Sequence, residues 1–176
     1  MTRAFYIGRF QPYHFGHHAV IARIAEEVDE LVIGIGSAQK SHEAIDPFTA
    51  GGERVLMVYN ALEHLSIRHY VVPPIEDVRY NSIWVHHVVS RTPRFDVVYS
   101  NNPLVIQLFR EAGFCVKESP PLYVRERYSG TEIRRRMIEG EKWEHLVPKP
   151  VAEVIKSFDG VSRLKNVSTS DSNFSL

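Results

Sequence analysis

A single cysteine in 176 residues excludes any disulfide within the chain and any CxxC metal or redox pair. That residue, in Phe114-Cys115-Val116, reads as buried. Charge of neither sign is in excess, with Lys+Arg 21 against Asp+Glu 21. A nucleic-acid surface would carry a basic surplus, so polymer binding is disfavoured, while a local basic cluster for a small phosphorylated ligand stays open. No apolar run reaches membrane-spanning length, and the N-terminus enters strand pattern at once, without a signal peptide's basic, apolar and small-residue zones. The expectation is a cytoplasmic protein with no membrane contact. Internal repeats are also missing.

What is present is alternation. Apolar, β-rich runs stand at Ala4 to Ile7, Leu31 to Ile35, Tyr70 to Val72, Phe95 to Tyr99 and Phe114 to Val116. Helical spacing lies between most of them: Val20, Ile21, Ile24 and Val28, then Val55, Leu56, Tyr59 and Leu62, with further candidates at Ile83 to Val89 and Leu104 to Phe109. Near-continuous apolar strands separated by helices predict an α/β fold, a Rossmann-like doubly wound parallel sheet of about five strands. Ligands of such sheets bind beyond the carboxyl ends of the strands. After Glu118 the alternation stops. Pro120-Pro121 breaks the chain before helical patterns at about Ser129 to Gly140 and Pro150 to Phe158, a C-terminal helical appendage. Residues 1–165 read as one domain and the serine-rich segment 166–176 as a flexible tail.

Two segments carry chemistry. Gly8-Arg9-Phe10-Gln11-Pro12-Tyr13-His14-Phe15-Gly16-His17 follows the first strand pattern and opens the first helix. A helix start has unpaired N–H groups and a partial positive charge, so a glycine turn feeding one suits a phosphate-sized anion. His14 and His17, three residues apart, share one side of that turn and can donate to phosphate oxygens from rings that can also become cationic. The second segment is Ser129-Gly130-Thr131-Glu132-Ile133-Arg134-Arg135-Arg136. Ser129 with Glu132 is a capping box and Ile133, Met137 and Ile138 form an apolar face, so its hydroxyls could serve only as caps.

The first segment resembles the GRFQPxHxGH signature of the HxGH nucleotidylyltransferases, and Ser129, Thr131 and Arg134 match that superfamily's late serine/threonine-x-threonine-x-x-arginine motif, whose helix start binds the triphosphate. Arg135 and Arg136 are weaker candidates. Three further segments, Gly36 to His42 with Asp46-Pro47-Phe48-Thr49, Asn81 to Val85, and Tyr99 to Val105, extend the likeness over nearly all of residues 3–165 to archaeal-type nicotinamide-mononucleotide (NMN) adenylyltransferases. The resemblance implies that ATP and NMN are joined into NAD with release of pyrophosphate. On the ATP side it implies Gly8, Arg9, Phe10, His14, Gly16, His17, Ser37, His42, Ser129, Thr131 and Arg134, with His14, His17, Arg9 and Arg134 catalytic. On the NMN side it implies Asp77, Val78, Asn81, Trp84, Asn101 and Asn102. Trp84 offers a face to a cationic nicotinamide, a contact worth about 1 to 2 kcal/mol when desolvated; at helical spacing from Val88 it reads equally as core. Asp46-Pro47 and Asn102-Pro103 read equally as plain turns.

The resemblance further implies Mg²⁺ held through the phosphates and not by protein side chains, and a homo-oligomer, often a hexamer. No third ligand stands at convincing spacing to make the histidines a zinc site. Two departures stand out: Ile45 where the family commonly has a basic residue, with Lys40 a possible substitute, and one extra glycine in Ala50-Gly51-Gly52-Glu53-Arg54. The alternatives are another HxGH adenylyl- or cytidylyltransferase, making a flavin or coenzyme A precursor, or a non-catalytic sensor of adenine nucleotides or NAD.

Overall fold

The computed structural model describes residues 1–120 and 127–173. Pro121 of the expected chain break and residues 174–176 of the expected tail lie outside the described residues. The five apolar segments become β1 (Arg3–Gly8), β2 (Glu30–Ile35), β3 (Tyr70–Val71), β4 (Val97–Ser100) and β5 (Cys115–Glu118). Every pairing is parallel, in the order β3-β2-β1-β4-β5. Tyr6 stands between Ile33 and Tyr99, so β1 is the central strand. The order reverses there, and the loops after β1 and β4 leave in opposite directions, opening a crevice at their carboxyl ends.

The helices are α1 (Phe15–Ala25), α2 (Val55–His64), α3 (Trp84–Arg91), α4 (Pro103–Glu111), α5 (Gly130–Glu139), α6 (Lys149–Ser157) and α7 (Gly160–Asn173). Strand alternation sends Ala4, Leu31, Ile33 and Tyr99 to one face of the sheet, where they pack with Ile21, Ile24, Leu62, Ile133 and Ile155. Phe5, Val32 and Val98 point to the other face and meet Val85, Val88, Phe95 and Phe109. Thus α1, α2 and the C-terminal helices cover one face and α3 and α4 the other, the doubly wound arrangement.

Two local expectations are corrected. Cys115 is exposed, because β5 is an edge strand: alternation packs Val116 against the second core and turns Cys115 outward. On α2 the buried residues are Met57, Val58, Ala61 and Leu62, while Leu56 and Tyr59 are exposed. Residues 55 to 59 are apolar without a break, so spacing alone did not select the inner face. The segment from residue 166 is helical as far as Asn173.

The extra glycine is absorbed as a π-helical turn, Ala50–Arg54, in which Arg54 N–H bonds the Thr49 carbonyl five residues back at 3.0 Å. Gly51 and Gly52 bulge into open space. The widened turn leaves α2 intact behind it.

The turn between α6 and α7 is packed to its limit. A Cβ on Gly160 would lie 2.6 Å from Phe158 Cε2 and 3.0 Å from both Ile155 Cγ2 and Phe48 Cε1. Gly160→Ala should lower unfolding free energy by about 1 to 3 kcal/mol through overpacking, read as a shifted urea midpoint at constant slope. An unshifted midpoint would mean that the Phe158 ring swings aside.

Candidate active site

The β1–α1 turn is built by its histidines. His14 is the N-cap of α1, its Nδ1 accepting from Gly16 N–H at 3.1 Å, and His17 Nδ1 accepts from His14 N–H at 3.3 Å. This reciprocal pair is a capping box made of imidazoles. With both Nδ1 atoms accepting, each neutral ring must carry its proton on Nε2. The rings stack at 3.7 Å between centroids. Burial pushes His14 down to about 3, and burial together with the His14 charge pushes His17 well below its ordinary value. Of the two states open to these rings, burial favours the neutral donor, because neither ring is solvated well enough to hold a second proton readily.

The turn is clamped on three sides. The buried Gln11 amide donates from Nε2 to the Phe48 carbonyl at 3.0 Å and accepts from Phe48 N–H at 2.9 Å. Arg9 pairs with fully buried Asp46 through Nε at 3.0 Å and through Nη2; these hydrogen bonds raise the Arg9 pKa. Arg134 Nη1 donates to the Gln11 carbonyl at 2.6 Å. Burial, followed by the neighbouring Arg9 charge, lowers the Arg134 pKa. A Cβ on Gly130 would meet that same carbonyl at 2.9 Å, so glycine permits the start of α5 to approach the turn. Ser129 Oγ caps α5 by accepting from Glu132 N–H at 3.2 Å. Only half of the expected capping box forms, since the Glu132 carboxylate is taken by Arg135 and Arg136. Thr131 is exposed beside it.

Most of the residues expected on the NMN side meet the ends of β1 and β2 around a cavity of about 450 Å³. Gly8, Arg9, Ser37, Asp77, Val78, Asn81, Trp84 and Asn102 line it, with Leu104, Val105 and Leu108 of α4. Trp84 is half-buried and stands edge-on to Phe109 at 5.5 Å, so it both seals the second core and presents surface to the cavity. Asn102 Oδ1 caps α4 by accepting from Leu104 N–H at 2.9 Å, which leaves its NH₂ as the group available to a ligand.

Other site residues lie outside that wall. Phe10 is buried, its ring 4.7 Å from that of His17, so only its backbone is presented. His14, Gly16 and His17 sit at the start of α1. His42 is exposed and contacts Ser41 Oγ at 3.0 Å, and Asn101 is exposed. Ile45 is 54% exposed next to Asp46. Lys40 brings its carbonyl, not its ammonium group, into the site's scaffold, accepting from Arg54 at 3.2 Å.

Four participants were not anticipated: Gln11, Asp46, Arg54 and Gln39. Gln39 donates to the Asp77 carboxylate and accepts from Asp77 N–H, both at 2.9 Å, and Ser37 Oγ donates to Asp77 at 3.1 Å. These bonds tie the loop after β2 to the loop after β3. Gln11, Gln39 and Asp46 fall inside the matched motifs and Arg54 inside the stretch with the extra glycine, which is a signal of position; nothing in the sequence marks what their side chains bond.

Residues 5–136 match the cytidylyltransferase-like family. Over its full length the chain is 98% identical to a nicotinamide-nucleotide adenylyltransferase of Methanosarcina mazei, covering 100% of both. It is 60% identical to one of Methanolobus tindarius, covering 99% of each. A bifunctional NMN adenylyltransferase/ADP ribose pyrophosphatase of Francisella tularensis, solved with AMP and a manganese ion, shares the fold at TM-score 0.76 and 20% identity; 96% of this chain superposes on 53% of that one.

The buried imidazoles make stability depend on pH. A histidine whose folded pKa lies below its unfolded value of about 6.5 leaves stability intact above that pH, and stability then falls toward the folded pKa because only the unfolded chain takes up the proton. For His14 the window runs from about 6.5 down to about 3. His14→Asn keeps an N-cap acceptor but removes the titration, and should flatten the fall by up to about 1.4 kcal/mol per pH unit. Urea midpoints at several pH values within the window measure it; an unchanged slope would show that His14 protonates freely in the fold.

Proposed function

The chain belongs to the cytidylyltransferase-like family and within it to the nicotinamide-nucleotide adenylyltransferases, and from that premise we propose that it joins ATP and NMN by direct attack of an NMN phosphate oxygen on the α-phosphorus of ATP. The new P–O bond makes NAD, and the bond to the β-phosphate breaks to release pyrophosphate. No protein nucleophile takes part. The carrying observation is the meeting of three elements at the carboxyl ends of the strands: imidazole donors on a helix N-terminus, two guanidiniums, and a cavity walled by Trp84 and Asn81.

Catalysis of such a transfer is positioning plus charge stabilisation. The Nε2–H groups of His14 and His17 are the donors to the α-phosphate, where charge spreads as the phosphorus passes between oxygens. Being neutral, they bind without a proton-transfer step. Arg9, Arg134 and the start of α5 with Ser129 and Thr131 take the β- and γ-phosphates. Asn81, the Asn102 amide and the Asp77 to Val78 backbone face the carboxamide side, with the Trp84 ring against the nicotinamide.

Mg²⁺ enters as MgATP. The carboxylates near the site are engaged, Asp46 by Arg9 and Asp77 by Gln39 and Ser37, and the guanidiniums and imidazoles beside them are a donor set suited to phosphate oxygens and not to a dication. Bound to the phosphates, the ion offsets their charge. The reading includes a cytoplasmic enzyme assembled as a homo-oligomer that uses freely diffusing substrates.

Mixing the chain with MgATP and NMN should yield NAD and pyrophosphate in equal amounts, whereas flavin and coenzyme A precursors should release none. Pyrophosphate from either of those precursors, without NAD from NMN, would overturn the reading. His17→Ala should lower kcat by about 10² or more while leaving KM for ATP within about tenfold, since the donor matters most as charge develops; near-normal kcat would remove His17 from that role. Trp84→Ala should raise KM for NMN by about tenfold or more with a smaller effect on ATP. It should also abolish the quench of tryptophan fluorescence by NMN, while Trp143→Phe preserves it. Equal loss for both substrates with a lowered Tm would assign Trp84 to the core alone.

A further inference from the structure

Arg54 is fully buried, yet among the described residues no carboxylate pairs with it. Its guanidinium is spent on backbone instead. Nη1 donates to the Arg9 and Gly36 carbonyls, each at 2.9 Å, and Nη2 to the Ser37 and Lys40 carbonyls at 3.1 and 3.2 Å. Arg9 lies on the loop after β1, and Gly36, Ser37 and Lys40 on the loop after β2. One side chain therefore joins the two strand-end loops from behind, and three of its four acceptors belong to residues that line the cavity.

Those carbonyls flank the strained part of each loop. Phe10 has φ 52° and Ser37 φ 49°, left-handed values costing about 1 to 2 kcal/mol for a residue with a side chain. The Arg9 carbonyl is in the peptide that sets φ of Phe10. The Gly36 and Ser37 carbonyls are in the two peptides on either side of Ser37. Because a trans peptide is planar, pinning each C=O toward Arg54 turns the N–H of the same peptide the opposite way. A buried guanidinium without a counter-charge is costly, and the two Nη groups of a rigid planar fork supply the four donors that four carbonyls from two loops require, while the buried Nε has no hydrogen-bond partner among the described residues. A lysine would bring the charge but not the fork.

We propose that Arg54 is a positioning residue for the ATP side of the reaction, holding the loops after β1 and β2 in the left-handed geometry that shapes the triphosphate end of the cavity. It touches neither substrate. The proposal rests on the adenylyl-transfer reading above, and the two fail separately: wild-type chain that makes no NAD from MgATP and NMN defeats that reading, whereas the proposal is decided by Arg54→Lys against an active wild type.

The expected result for R54K, assayed well below its own Tm, is a KM for ATP raised about tenfold or more and kcat lowered about tenfold or more, with KM for NMN within about threefold. ATP should also lose most of its ability to raise the Tm of R54K, while NMN keeps its own. Wild-type values of kcat and both KM in R54K overturn the proposal, and so does an equal rise in both KM values, which a merely structural role produces. If R54K does not fold, the wild-type protein decides by nuclear magnetic resonance. A guanidinium fixed by four carbonyls gives separate, slowly exchanging Nη–H signals for Arg54, and a single averaged signal overturns the proposal.

Discussion

The buried amide of Gln11, bonded in both directions to the Phe48 backbone, ties the β1–α1 turn to the loop that carries Asp46. That loop holds Arg9 through Asp46, and the Gln11 carbonyl in turn receives Arg134 from a helix 123 residues further along the chain. The arrangement of side chains at these strand ends rests on that tie. If the turn shifted, the helix cap made by His14 and His17, the direction of Arg9 and the docking of α5 would all move with it. A buried, fully satisfied amide suits this role because breaking it leaves two backbone groups of Phe48 without partners.

Charge is concentrated in one cluster beside the β1–α1 turn. Arg9, Arg54 and Arg134 influence one another or share the field of Asp46, the carboxylate at the centre of the cluster. Burial lowers Arg134, and takes Arg54 down to about 10, still charged at neutral pH. Positive charge in excess of one buried carboxylate, beside a helix N-terminus, stays incompletely compensated until an anion arrives. The neutral imidazoles add directed N–H groups without adding to this repulsion.

The acceptor side is built differently. Its wall comes from α3, α4 and the loop after β3, and ring contacts among Trp84, Phe109 and Phe95 join that wall to the second core. Glu76 reaches His87 and Arg91 of α3 at 3.5 and 3.4 Å, while its neighbour Asp77 is bonded to Gln39. The loop after β3 is therefore anchored both to α3 and to the loop after β2.

Period and motif in the chain itself determined the five strands, their parallel class and the helix starts at His14 and Ser129, because each depends on residues within a few positions of one another. The inner face of α2 was not legible, since its sequence is apolar nearly all round; nor was the exposure of Cys115, which depends on β5 lying at the edge. Only the tertiary structure decided the protonation of His14 and His17, because desolvation comes from groups packed around them and not from their own spacing. The same holds for Arg54 and Gln39. A guanidinium that bonds four carbonyls on two loops, or an amide that joins two strand-end loops, leaves no periodic trace, since its partners are brought within reach by the order of strands in the sheet.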